Sequence, residues 1–128
     1  MDGGVIVGDT DAFVDLLRGS GAHRMLERLL ARGRLATTAI TVFEIWRGLA
    51  SETARDMARR LFRGVRIYPL TDAATRRAAE VDALLRRSPI GERDTLIAGV
   101  CLAIQRPLLT ANVRHFHRVP GLEVLRAR

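Results

Sequence analysis

The feature that most constrains the fold is an alternation of short apolar runs with helical repeats along the whole chain. Five runs have the length and composition of buried strands: Val5–Gly8, Leu35–Thr38, Val65–Leu70, Pro107–Thr110 and Leu122–Leu125. Between them, apolar residues at helical spacing predict the helices Ala12–Leu17, Ala22–Leu30, Thr41–Leu49, Ala54–Phe62, Thr71–Arg87 and Glu92–Gln105. The pattern predicts an α/β fold with a central, mainly parallel five-stranded sheet flanked by helices.

The length of 128 residues suits one compact domain over residues 1–128, and no repeat or linker divides it. Met1–Gly4 carries no basic residue that would begin a targeting signal. The longest apolar run, Leu96–Ile104, is too short to span a bilayer. Cys101 is the only cysteine and has no disulfide partner, which fits a reducing compartment. We therefore expect a cytoplasmic protein with no membrane segment.

The charge of the chain favours a polyanionic partner. The formal net charge is +7, and all 21 basic residues are arginine. Arginine suits bidentate contact with phosphate, so RNA, DNA or an acidic protein are the expected partners. An arginine-rich genome would explain the absence of lysine but not the excess of positive charge.

Polar residues follow the predicted strands at the points where sites form in parallel sheets, beyond the carboxyl ends of the strands. Asp9 follows the first strand, and Glu44 lies shortly after the second. Thr110 and Asn112 follow the fourth strand, and Asp94 lies at the start of the apolar last helix. The parallel topology therefore predicts that these residues converge.

Three of these residues, Asp9, Glu44 and Asp94, are carboxylates beside apolar sequence. An unpaired buried charge is costly, and converging carboxylates repel each other. A divalent cation relieves that repulsion, and hard oxygen ligands select Mg²⁺ or Mn²⁺ over zinc. Such a cation orients and activates water for attack on a phosphodiester.

Each acid also has a structural interpretation. Thr41 and Glu44 have the spacing of a capping box with Thr41 as the N-cap. Asp94 in a first helical turn would favour the helix dipole, and Asp9 and Asp11 are ordinary helix-entry residues. Taken singly, the acids do not decide between the two interpretations, but the three together favour a functional site.

Four segments resemble, in order and rough spacing, the motifs of VapC-type PIN domains. They are Val5–Gly19, Thr41–Leu49, Ile90–Gly99 and Leu109–Phe116, the last followed by Val119–Leu122. The resemblance covers nearly the whole chain. It implies a PIN fold with a central parallel sheet, a metal-dependent endoribonuclease site that uses Mg²⁺ or Mn²⁺, and an RNA substrate. It also implies a toxin held in check by a cognate antitoxin, and a homodimer.

The resemblance maps Asp9, Glu44 and Asp94 to the acidic site, with Asp9 and Asp94 as metal ligands. The fourth acid is a departure, because many members have aspartate where Asn112 stands and some have an acid where His115 stands. Asn112 still offers a carbonyl oxygen, so we include it in the catalytic set as a ligand of the metal or of its water. The departure affects the number of metal ions and their affinity, not the class.

Other polar residues near the motifs are weaker candidates. Glu92 lies two residues before Asp94 and points to a different side of the helix, so we place it outside the site. Asp11 and Asp15 are interpreted as solvated or capping residues. Several basic residues flank the motifs and could meet RNA phosphates or serve in proton transfer, although surface positions are their commoner role: Arg18, Arg47, Arg93, Arg114, His115 and His117.

Other classes of protein share single features of this sequence. A strand followed by Asp9-x-Asp11 also matches the opening of haloacid-dehalogenase-like phosphatases, but these typically need a basic residue, usually lysine, and a later acidic pair, and this chain has no lysine and no late Asp-Asp pair. Response-regulator receivers are excluded by the same missing lysine. The non-enzymatic alternative is a degenerate PIN domain that acts as a non-catalytic RNA- or protein-binding module and whose acids are only caps. Saturable binding of Mg²⁺ or Mn²⁺ would discriminate the two.

Overall fold

A five-stranded sheet forms the centre of the molecule in a computed structural model that describes residues 3–127. The strands are β1 Ile6–Gly8, β2 Leu35–Thr38, β3 Arg66–Tyr68, β4 Leu108–Thr110 and β5 Val124–Arg126. They lie in the order β3-β2-β1-β4-β5, and each neighbouring pair is parallel. The predicted α/β class is confirmed, and within the described residues the sheet is parallel throughout.

Helices connect the strands and cover the sheet. Over residues 3–127 they are α1 Thr10–Arg18, α2 His23–Ala31, α3 Ala39–Arg47, α4 Glu52–Arg63, α5 Asp72–Leu84, α6 Glu92–Ile104 and α7 Val113–Phe116. The first six correspond to the predicted helices, with ends that differ by at most three residues. Helix α7 is not predicted by the sequence because four residues are too few to show a helical period. No helix in residues 3–127 is long and apolar enough to cross a membrane.

Helix α6 is the most deeply buried helix in residues 3–127, and it supplies much of the core on one face of the sheet. Its residues Ile97 to Leu102 are all buried, and Cys101 is 1% exposed. Burial raises the pKa of the Cys101 thiol to about 12. Gly99 allows α5 to approach closely, since a Cβ there would lie 2.5 Å from the Ala74 carbonyl oxygen.

The opposite face is covered by the first helices of the chain. Phe13, Leu26 and Ile45 form the centre of its core cluster. The apolar stripes of α2 and α4 pack against this cluster through partly buried residues, including Leu29, Leu30, Leu61 and Phe62. Met25 and Met57 on the same two helices remain 37% and 49% exposed.

Threonine and aspartate at the strand ends cap the helices that follow. Asp9 is the N-cap of α1, and its Oδ1 accepts a 2.9 Å hydrogen bond from the Ala12 amide. The proposed capping box of Thr41 and Glu44 is wrong. Helix α3 begins at Ala39, and its N-cap is Thr38, whose hydroxyl accepts from the Thr41 amide. The last residue of β2 therefore starts α3 directly, without an intervening turn.

Candidate active site

Asp9 and Thr110 meet where the neighbouring strands β1 and β4 end. Thr110 Oγ1 donates a 2.5 Å hydrogen bond to Asp9 Oδ2 and accepts one of 2.9 Å from the Asn112 amide. Because Asp9 Oδ1 is held by the Ala12 amide, both oxygens of the carboxylate have fixed positions. The strand end and the first turn of α1 thus orient one acid of the predicted site.

The Asp9 carboxylate is buried, with only 3% of the residue exposed. Burial raises the pKa of Asp9 from 3.8 to about 6. The hydrogen bonds from Thr110 and Ala12 oppose this rise in pKa, whereas the charges of Asp11 and Asp94 add to it. Asp94 therefore lies close enough for its charge to raise the pKa of Asp9.

Asp94, in the first turn of α6, is 6% exposed and lies next to one arginine and one histidine. Arg93 Nε donates to Asp94 Oδ1 at 3.1 Å, and His115 Nδ1 lies 3.2 Å from Asp94 Oδ2. The same ring nitrogen lies 3.0 Å from Asn112 Nδ2. Asn112 and His115 follow β4, so the end of that strand is connected to both buried acids.

The Arg93 guanidinium lies within the field of the acidic residues. Partial burial lowers the pKa of Arg93, but the charge of Asp94, the hydrogen bond to it, and the charges of Asp11 and Asp9 together raise that pKa above its ordinary value. Arg93 therefore stays protonated and offsets part of the negative charge of the cluster.

Glu44 is not bonded to the other three predicted residues. It is half-buried on α3, and no hydrogen bond or ion pair joins it to Asp9, Asp94 or Asn112 among the described residues. Helix α3 is attached to the site at its first turn, where the hydroxyls of Thr10 and Thr41 lie 3.1 Å apart. Glu44 lines a surface cavity of about 420 Å³ that Arg93 also lines.

The chemistry of these donors fits a hard divalent cation. In residues 3–127 no three His, Cys, Asp or Glu side chains form a complete metal cluster. Asp9 and Asp94 supply two buried carboxylates instead, and their mutual repulsion is relieved by a cation. Mg²⁺ binds through one or two carboxylates while keeping several waters, so it needs no complete protein cage.

The structure places near the site three residues that the sequence analysis treated as weaker candidates. Arg93 and His115 both contact Asp94 while their side chains stay 37% and 27% exposed, so these two lie at the border between the site and the surface. Asp11 is exposed, yet its charge acts on Asp9 and Arg93. The contact between Arg93 and Asp94 could have been expected because the two residues are adjacent in the sequence. The contact between His115 and Asp94 depends on the position of α7, and no local sequence pattern predicts it.

Comparison with known proteins places this arrangement in a family. The family model of the PIN domain matches residues 6–122. The chain is 33% identical over 115 residues to Ribonuclease VapC10 of Mycobacterium tuberculosis, covering 88% of this chain and 86% of that protein. The chain therefore belongs to the PIN-domain family, and it is a relative of a VapC ribonuclease.

Solved structures of low sequence identity share the fold. DNA-bound VapBC from Salmonella typhimurium superposes with a TM-score of 0.86 at 22% identity, over 98% of this chain and 99% of that chain. VapBC2 from Rickettsia felis, bound to a DNA fragment from its promoter, gives a TM-score of 0.82 at 20% identity, over 95% and 98% of the two chains. These likenesses confirm the predicted PIN-like fold.

Proposed function

We propose that this protein is a metal-dependent endoribonuclease and the toxin of a toxin–antitoxin pair. The observation that carries the proposal is the pair of buried carboxylates Asp9, which follows β1, and Asp94, in the first turn of α6, with the charge of Asp94 acting on Asp9. Membership of the PIN-domain family and the likeness to a ribonuclease support the same reaction class. No contact in the described residues favours the non-catalytic alternative.

The proposed cofactor is Mg²⁺, with Mn²⁺ as a substitute, held by Asp9 and Asp94. When bound, the cation would activate water and neutralise charge on the phosphodiester. Thr110 fixes the Asp9 carboxylate, and His115 and Arg93 fix that of Asp94. We assign Glu44 and Asn112 to the catalytic set as supporting oxygen donors, the first from α3 and the second from the end of β4.

The proposed partners are an RNA substrate and a cognate antitoxin. VapBC is the protein crystallised from Salmonella typhimurium and from Rickettsia felis, and by analogy we expect an antitoxin segment on the exposed edges of α2 and α4. We also propose that the protein forms a homodimer and acts in the cytoplasm. A short neighbouring reading frame that encodes a DNA-binding antitoxin would support the biological role.

Removal of either buried acid tests the catalytic proposal. We expect Asp9→Asn and Asp94→Asn to abolish Mn²⁺-stimulated cleavage of RNA while circular dichroism shows an intact fold. Asp56→Asn is the matched control, because Asp56 lies on α4 with a 53% exposed side chain and pairs with Arg59. Cleavage by folded Asp94→Asn at the wild-type rate would contradict the site assignment.

A further inference from the structure

An acidic site that acts on RNA has to admit a polyanion. Asp9, Asp11 and Asp94 all act on one another or on Arg93, and Glu44 and Glu92 line the adjoining cavity. A divalent cation offsets part of this charge. A phosphodiester that approaches the cluster still needs a donor beside the cation, because phosphate and carboxylate repel each other.

Arg93 is the arginine that contacts this cluster within residues 3–127. Other arginines near the motifs have different surroundings. Arg47 lies over the Phe43 ring, with its guanidinium carbon 5.4 Å from the ring centroid, and Arg18 and Arg114 are exposed. Arg93 alone joins the buried acids to the cavity of about 420 Å³.

The geometry of Arg93 leaves its outer nitrogens available. Nε donates to Asp94 Oδ1 at 3.1 Å, and this is the single hydrogen bond that the described residues give the side chain. The two Nη atoms have no partner in residues 3–127, and the side chain is 37% exposed. Asp94 is buried and its Oδ1 accepts from Nε, so this contact holds the guanidinium beside the acids while both Nη atoms have no hydrogen-bond partner among the described residues.

We propose that Arg93 binds a phosphate of the RNA substrate, using its two Nη atoms while Nε stays on Asp94. This inference rests on the proposed function and extends it to a residue that contacts substrate. Asp94 has two tasks under this proposal, since it would ligate the cation and orient the arginine. A guanidinium suits the role because it forms two parallel hydrogen bonds to phosphate.

The test measures RNA binding separately from catalysis. The probe is a short single-stranded RNA that is 2′-O-methylated throughout, with its integrity checked on a gel, and binding is followed by fluorescence anisotropy in Mn²⁺. We expect Arg93→Gln to weaken binding about tenfold. We also expect the slope of log K against log salt to fall by about 0.7, as for one lost contact to a single-stranded phosphate.

Two variants serve as controls. Arg32→Gln removes an exposed arginine just before β2, near the amino ends of the strands and away from the site. It should leave the affinity for RNA nearly unchanged. Arg93→Lys keeps the charge but offers a point charge in place of a planar fork. It should keep the wild-type salt slope and restore only part of the affinity.

Calorimetry with Mn²⁺ alone separates a substrate contact from a structural one. Loss of the arginine charge should leave Mn²⁺ affinity equal or higher, because the cluster becomes more negative. If Arg93→Gln lowers only the melting temperature of the metal-free protein, or lowers Mn²⁺ and RNA affinity together, Arg93 acts through Asp94 and the proposal is overturned. If the wild type cleaves no RNA but Arg93→Gln still weakens binding, the nuclease proposal fails and the Arg93 assignment stands.

Discussion

The Thr110 hydroxyl donates to Asp9 Oδ2 at 2.5 Å and so joins two strand ends that are 101 residues apart in the chain. The same hydroxyl accepts from the Asn112 amide at 2.9 Å, so a second hydrogen bond favours this orientation. Since Asp9 is buried, this bond is a principal reason why its carboxylate tolerates a negative charge.

Thr110→Val should therefore raise the pKa of Asp9 above about 6 and lower the free energy of unfolding by about 1–3 kcal/mol, because a buried acceptor loses its donor. Carbon-detected NMR titration of the carboxyl group and urea unfolding measure the two effects. Thr110→Ser keeps the hydroxyl and is the control. An unchanged Asp9 pKa in Thr110→Val would show that the bond does not stabilise the ionised form.

The raised pKa of Asp9 also makes stability depend on pH. Between an unfolded pKa of 3.8 and a folded pKa of about 6, the folded state binds more protons than the unfolded state. The contribution of Asp9 to stability is therefore complete below the lower value and is lost as pH rises through the upper one. At neutral pH the ionised acid destabilises the metal-free protein by at most about 3 kcal/mol.

Asp9→Asn should remove this dependence. We expect the difference in unfolding free energy between Asp9→Asn and wild type, measured with urea in EDTA, to grow in favour of the variant from about pH 4 to about pH 7. Other carboxylates titrate in both proteins, and their effects largely cancel in the difference. A difference that stays constant with pH would mean that Asp9 titrates normally in the folded protein.

Asn112 allows the metal site to be strengthened. Its side chain lies 3.0 Å from His115 Nδ1, which in turn contacts Asp94. A carboxylate adds a negative charge near the proposed cation, so Asn112→Asp should tighten Mn²⁺ binding about tenfold in calorimetry. Equal or weaker binding would show that Asn112 does not face the metal.

Exposed apolar residues on α4 provide a test of antitoxin binding. Met57 is 49% exposed, so Met57→Asp should leave the fold intact and weaken the complex with the co-expressed antitoxin about tenfold or more. Leu61 packs against the core cluster, so Leu61→Asp should lower stability as well and is the poorer probe. Leu84→Asp, at a 66% exposed position on α5, is the control. Equal weakening by Leu84→Asp would contradict a specific role for α4.

Gly99 gives a prediction about packing that is independent of the site. A methyl group there would lie 2.5 Å from the Ala74 carbonyl oxygen and 2.7 Å from Ala78 Cβ. Gly99→Ala should therefore separate α5 from α6 and lower the free energy of unfolding by about 1–3 kcal/mol. Thermal unfolding measures the loss. A variant as stable as wild type would show that the two helices can move apart at little cost.

Much of the fold follows from local pattern. The runs that form β1 and β4 are short and largely apolar; Asp9 follows the first at once, and Thr110 is the last residue of the second. The parallel topology then requires Asp9 and Thr110 to lie at one edge of the sheet. Their position at the carboxyl ends of the strands is thus predictable from the sequence, whereas their contact also needs the pairing of β1 with β4.

The remaining contacts of the site depend on information that a local pattern does not hold. His115 reaches Asp94 from α7, and a single helical turn has no period to detect. Thr38 and Thr41 are both suitable N-caps, and only the path of β2 into α3 decides between them. The lack of a hydrogen bond or ion pair between Glu44 and the other acids, within residues 3–127, has the same origin, because it depends on how α3 packs.

Cys101 makes the core accessible to chemical measurement. It is the only thiol of the chain, and with a pKa raised to about 12 almost none of it is thiolate at neutral pH while it is buried in α6. A maleimide or disulfide reagent can react only when α6 leaves the core, so the rate of labelling reports the population of opened molecules. Asp94 lies on the same helix. The change in the labelling rate of the wild-type protein on addition of Mn²⁺ would therefore measure how strongly a cation at the acidic site stabilises α6 in the core.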